Sequence, residues 1–161
     1  MTELTLEIIK TIAISGTAIV AIVTMIKGYY EYKLSTKQKR IELYEKLGTK
    51  LETDKTLKKI IDYLETENPD LKNMSRFDRY KFLRYYEDIT LIMNSGLMKP
   101  EIAHYMFSYY AIKCDSSSVF WHDINRKAIY WKAFNDFVSQ MKEIEQKTLK
   151  TSNQKHQNLS I

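Results

Sequence analysis

Cys114, with His104 or His122 as a base, is the combination in this chain that could carry nucleophilic chemistry. A thiolate–imidazole couple needs a third group to orient the imidazole and donors to hold an oxyanion. The flanking run "AIKCDSSSV" matches no such signature. Cys114 is therefore read as a small apolar residue near a helix end. His104, His122 and His156 lack metal-ligand spacing, and a single cysteine leaves neither a cysteine zinc cluster nor an internal disulfide. The four glycines are scattered, so no glycine-rich loop can cradle a phosphate. No catalytic, cofactor-binding or metal-binding residue is assigned, no cofactor is expected, and the chain is not expected to be an enzyme.

Glu87 and Asp88 form the other candidate. On a helix, neighbours point about 100° apart, so the two carboxylates do not share a face as an acid–base pair would. An unpaired buried carboxylate would cost several kcal/mol, so a partner is required. Arg84, His104, Arg126 or a tyrosine hydroxyl could serve. The expectation is a structural polar network of Glu87, Asp88 and Arg126.

The elements that position these residues read as helices. The 161 residues are 44% hydrophobic, enough for a packed core, and only Gly 4 and Pro 2 punctuate them. Strand-like alternation and internal repeats are absent from the sequence. Asp54 caps a helix whose stripe is Leu57, Ile60, Ile61 and Leu64. Pro69 lies in the polar loop "ETENPDLKN". Ser75 with Asp78 opens "RFDRYKFLRYYEDITLIMN", and Gly96 closes it in the left-handed conformation. Pro100 and Glu101 start "EIAHYMFSYYAIK", which is apolar on nearly every side and is expected to be the central core helix. "CDSSS" is a break, and Ser116 to Ser118 read as caps. A final helix is expected from about 119 to 146 through Trp121, Ile124, Ala128, Trp131, Val138 and Met141, before a loose polar tail.

The N-terminal part differs. From Ile8 to Ile26 the only charge is Lys10. A helix of that length spans roughly 29 Å at about 1.5 Å per residue, against a hydrocarbon core of about 30 Å. Tyr29, Tyr30 and Tyr32 follow at interface depth. A cleaved signal peptide would want leading cations and a small-residue cleavage site; Glu3 and Glu7 precede the run, and "MIKGYYEY" follows it. Ala13, Thr17 and Ala21 recur every fourth residue, a stripe along which two spans could pack in a homo-oligomer. Residues 27–50 carry Lys27, Lys33, Lys37, Lys39, Arg40, Lys46 and Lys50 against Glu31, Glu42 and Glu45. Such a flank stays cytoplasmic and attracts an anionic inner leaflet. Its expected membrane-surface residues are Lys27, Lys33, Lys37, Lys39 and Arg40.

From "FLRYYEDITLIMNSGLMKPEIAHYMFSYYAI" to "FWHDINRKAIYW", the chain resembles small bacterial single-pass membrane proteins of unknown function with an aromatic-rich helical domain. The resemblance implies a build and no activity. It brings no catalytic residues to carry over.

The sequence thus predicts an all-α protein: an N-terminal transmembrane helix followed by a small cytoplasmic helical bundle of about four helices. Its parts are a short outside N-terminus (1–7), the span (8–26), a basic juxtamembrane helix (27–50) ended by Gly48, the bundle (51–146) and a tail (147–161). The expected work is a non-catalytic interaction or scaffold role for an unidentified protein partner at the inner face of a bacterial membrane. One alternative is a membrane effector or accessory subunit of a phage-defence or toxin module. A second is helix-turn-helix nucleic-acid binding at "LIMNSGLMKPEIAHYM". That helix offers Glu101, His104 and Lys113 with Met, Phe and Tyr elsewhere, where base readers present Arg, Lys, Asn or Gln to the groove, so nucleic acid is not the expected partner.

Overall fold

The computed structural model describes residues 3–157, with side chains left undescribed at seven positions of the first helix, Ala13 among them, and beyond residue 150. The described residues are all-helical, without a strand. The helices are α1 (Glu3–Thr53), α2 (Lys55–Glu65), α3 (Arg76–Asn94), α4 (Pro100–Ser116) and α5 (Lys132–Gln157), with short 3₁₀ turns at Pro69–Asn73 and Ile129–Trp131. The chain divides into two units, Met1–Glu45 and Lys46–Ile161.

The first unit is one helix whose described apolar side chains face outward: Ile19, Val20, Ile22, Val23, Met25 and Ile26 are all exposed. None of its most apolar stretch is buried. Thr11 and Thr24 donate their hydroxyls to the carbonyls of Glu7 (2.9 Å) and Val20 (2.8 Å), so the helix satisfies these polar groups by itself.

The second unit packs α3 and α4 against α5, with α2 lying on α3 and α4. It includes the last two turns of α1, where Leu47 and Leu51 are buried. Gly48 does not end the helix as expected; α1 continues to Thr53, and Asp54 then caps α2 by accepting from the N–H groups of Thr56 and Leu57. The caps of α3 fall where the sequence placed them. Ser75 accepts from the N–H of Asp78, and Gly96 adopts φ 72°. The Leu97 N–H reaches Ile92 and the Gly96 N–H reaches Met93, the paired closure that only a left-handed residue permits.

Three further expectations are corrected. The central helix is α3, not α4: it buries Phe82, Leu83, Tyr85, Tyr86, Ile89 and Met93, whereas α4 turns Tyr105 and Tyr109 outward. The final helix begins at Lys132, not near 119, because residues 117–131 are held in turns. Finally, the segment after Lys147 is not a loose tail as far as Gln157, since α5 extends that far.

Candidate functional site

The turns at 117–131 exist because a buried cation organises them. Arg79 lies on the apolar stripe of α3 and is 1% exposed. Its Nη1 donates to the carbonyls of Phe120 (2.8 Å) and His122 (2.6 Å), and its Nη2 donates to Asp123 at 2.7 Å. Those carbonyls would otherwise serve a helix. Asp123 stands at φ 60°, which breaks any helix through it. Arg76 holds the second oxygen of Asp123 at 2.8 Å. These two arginines, Arg76 first, keep the Asp123 carboxyl below its usual range. The indole of Trp121 donates to the Cys114 carbonyl at 3.0 Å, tying the same segment to α4.

A second charge cluster lies between α4, the turns and α5. The carboxylate of Asp115 is buried and is held by Arg126 and by Lys142 at 2.7 Å. A cleft of about 680 Å³ opens beside it, lined by Asn125, Arg126, Lys127, Asn135 and Lys142 among others.

The expected network of Glu87, Asp88 and Arg126 does not form as one group. Arg126 serves Asp115, and Asp88 pairs with Lys50 at 3.5 Å. The reason is the position of Arg126 in a turn rather than on a helix passing α3. Glu87 is half-buried, and loss of hydration raises its pKa from an ordinary 4.5, with Arg84 pulling the other way and Asp88 adding to the rise. A carboxyl raised in this way contributes stability that is complete below its ordinary pKa and is lost as pH rises through the folded value. Glu87→Gln is therefore expected to raise the thermal midpoint at pH 7 and to leave it unchanged near pH 3. Melting curves followed by circular dichroism at the two pH values check this.

Cys114 is fully buried, and burial pushes its thiol well above the ordinary range, with Asp115 adding to the effect. A group so protonated is a poor nucleophile. His104 is half-exposed on α4 and His122 is exposed in the turns. Among the described residues, no group of three His, Cys, Asp or Glu side chains is placed to hold a metal.

On α1 the basic residues stay outward. Lys27 lies 3.8 Å from Glu31, Lys33 sits over the Tyr29 ring at 4.7 Å, and Lys37 and Lys39 are exposed, with Arg40 half-buried. Thr17 and Ala21 are exposed; the side chain of Ala13 lies outside the described residues. Arg79 and Asp115 were missed from the sequence. The available signal was spacing: Arg79 shares a stripe with Phe82, Tyr86, Ile89 and Met93, and Asp115 sits one position beyond the stripe of Phe107, Ala111 and Cys114.

Comparison with protein-family models, with curated proteins and with solved structures finds no match. The described residues contain one helix near the N-terminus that is long and apolar enough to cross a membrane.

Proposed function

We propose that the chain is a single-pass membrane protein, N-terminus outside, whose cytoplasmic helical bundle holds or recognises a protein partner at the inner face of a bacterial membrane without catalysing a reaction. The observation that carries this is the outward apolar surface of α1, which packs against nothing in the most apolar stretch. Water is a poor solvent for such a surface, and contiguous exposed apolar area on this scale marks a membrane or protein contact. The cations that follow it, from Lys27 to Arg40, support the orientation and an attraction to anionic lipid. The fully buried thiol of Cys114 counts against thiol chemistry and suits a binding role.

A second reading rests on the exposure of Thr17 and Ala21 along one face of α1. Self-association there would fit an effector that perturbs the bilayer in a defence or toxin module. Overproduction of the intact chain separates the two. A scaffold stays in carbonate-washed membranes, leaves growth unchanged and co-purifies with one defined protein from detergent. An effector arrests growth, and leucine at positions 13, 17 and 21 relieves the arrest. Recovery of the chain in the carbonate supernatant would overturn both readings.

A further inference from the structure

The turn before α5 presents bulky apolar side chains to solvent under tight control. Ile129 and Tyr130 are 79% and 80% exposed, and Phe77 on α3 is 74% exposed. Their exposure is built in. Asn125 Oδ1 accepts from the Lys127 N–H at 3.1 Å, and the Asn125 carbonyl accepts from the Ala128 N–H at 3.0 Å. The Trp131 N–H donates to the Ala128 carbonyl, and Asn135 Nδ2 donates to the Arg126 carbonyl at 3.1 Å. The Trp131 ring then stacks against Tyr80 at 4.9 Å. With the half-buried Trp131 ring resting on Tyr80, the two residues before it face solvent. Phe77 lies one helical turn before Tyr80, so it stands on the same side of α3.

The charge around these tips is net positive, with Arg126 and Lys142 paired to Asp115 and Lys132 paired to Asp136. The run "NRKAIYWK", residues 125–132, contains Arg126, Lys127 and Lys132 and no carboxylate. Lys142 faces the same cleft as Arg126 and Lys127. Aromatic and aliphatic tips beside an excess of cations are the composition of a bilayer interface contact: rings sit at headgroup depth, and cations meet lipid phosphates. Two tips on one tight turn also form a convex point. A stable protein interface takes about 800 Å² from each partner, a flatter and larger surface than this turn offers.

We propose that the Ile129–Tyr130 turn is a docking site for the surface of an anionic phospholipid bilayer, with Ile129, Tyr130 and Phe77 entering the interface and Lys127 and the solvent-exposed Lys132 facing the phosphates. The site rests on the membrane reading for its setting, since a chain already anchored through α1 meets that surface at high effective concentration. It adds to that reading a second, reversible lipid contact in the other unit of the chain.

The test uses the full chain in vesicles whose acyl chains carry bromine, a contact quencher of tryptophan. Trp121 is buried and gives a constant background, so the quenchable emission is that of Trp131. In vesicles containing phosphatidylglycerol, quenching should exceed that in phosphatidylcholine alone by about threefold, as expected for a few cations near a charged surface, and should fall in high salt. Ile129→Asp with Tyr130→Asp should abolish the difference while far-ultraviolet circular dichroism stays unchanged. Lys127→Glu, a milder surface change, should reduce it. Equal emission in brominated and plain vesicles of both compositions, with the chain still resistant to carbonate, would overturn the docking site and leave the span standing. Release by carbonate would sink the span, and quenching of the chain added to preformed vesicles would then decide the docking site alone. Shielding of Trp131 only when cytosolic protein is added would assign the tips to a protein and overturn the proposal.

Discussion

Replacing Arg79 by methionine is expected to destabilise the second unit by about 2–4 kcal/mol, the cost of stranding buried carbonyls that lose a charged donor. Methionine fills much of the same volume, so the loss comes from hydrogen bonds rather than from a cavity. The carbonyl of Phe120 is buried and accepts from Arg79 at 2.8 Å, and that of His122 is part-buried. The Phe120 carbonyl gains no water when the guanidinium goes. Asp123, more exposed, keeps Arg76 and solvent. Urea unfolding of the full chain in mild detergent, followed by near-ultraviolet circular dichroism, measures the change. Trp121 and Trp131 report on the segment that Arg79 holds. Arg79→Lys should fall between wild type and methionine, because an ammonium keeps the charge but not the planar fork. Arg76→Met should change little, since that pair is open to water and ions. Equal effects at positions 76 and 79 would show that charge, and not the buried carbonyls, dominates.

The second large effect concerns the first unit. Val20→Arg combined with Val23→Arg is expected to move the chain from carbonate-washed membranes to the supernatant. Each arginine near the middle of a span costs about 2.5–3.5 kcal/mol to insert. Both valines are exposed in the structure. On a helix surrounded by water, arginines at these positions would be harmless and would improve solubility. Inside lipid they oppose insertion. The sign of the effect therefore distinguishes the two surroundings, and a double variant that remains in the membrane pellet would count against residues 8–26 as the span. Arginine at Tyr29 and Tyr32, beyond the apolar run, serves as the control and should leave the fraction unchanged.

The helix ends were legible because their causes are local. Asp54, Ser75, Gly96 and Pro100 each act on backbone groups within a few residues, and each stands where the sequence placed it. The segment 117–131 was not legible. Trp121, Ile124, Ala128 and Trp131 mimic a helical stripe, yet the groups that shape the segment come from Arg79, 41 to 44 residues earlier in the chain. Local spacing carries no trace of a donor that far away. Gly48 misled for the opposite reason. Its weak helix preference was overridden once Leu47 and Leu51 found a core and Tyr85 bonded the Leu47 carbonyl at 3.0 Å. The predicted polar network failed along the same line. Arg126 belonged to the misassigned segment, so its partner became Asp115 instead of Glu87 or Asp88. Composition made the apolar rod legible, but it did not distinguish α3 from α4 as the central helix. Tyrosine serves both interior and surface, and α3 turns Tyr85 and Tyr86 inward while α4 turns Tyr105 and Tyr109 outward.

The long reach of Arg79 has a consequence for how the chain is made. Synthesis is vectorial, and Asp123 emerges 44 residues after Arg79. At about 5–20 residues per second, that is a wait of roughly 2–9 s during which the guanidinium must stay hydrated. A nascent chain therefore cannot close its interior around α3 until the Phe120–Asp123 turn has arrived, although its greasy N-terminal helix left the ribosome long before. On the proposed topology insertion precedes folding, and an interrupted chain remains open to proteases.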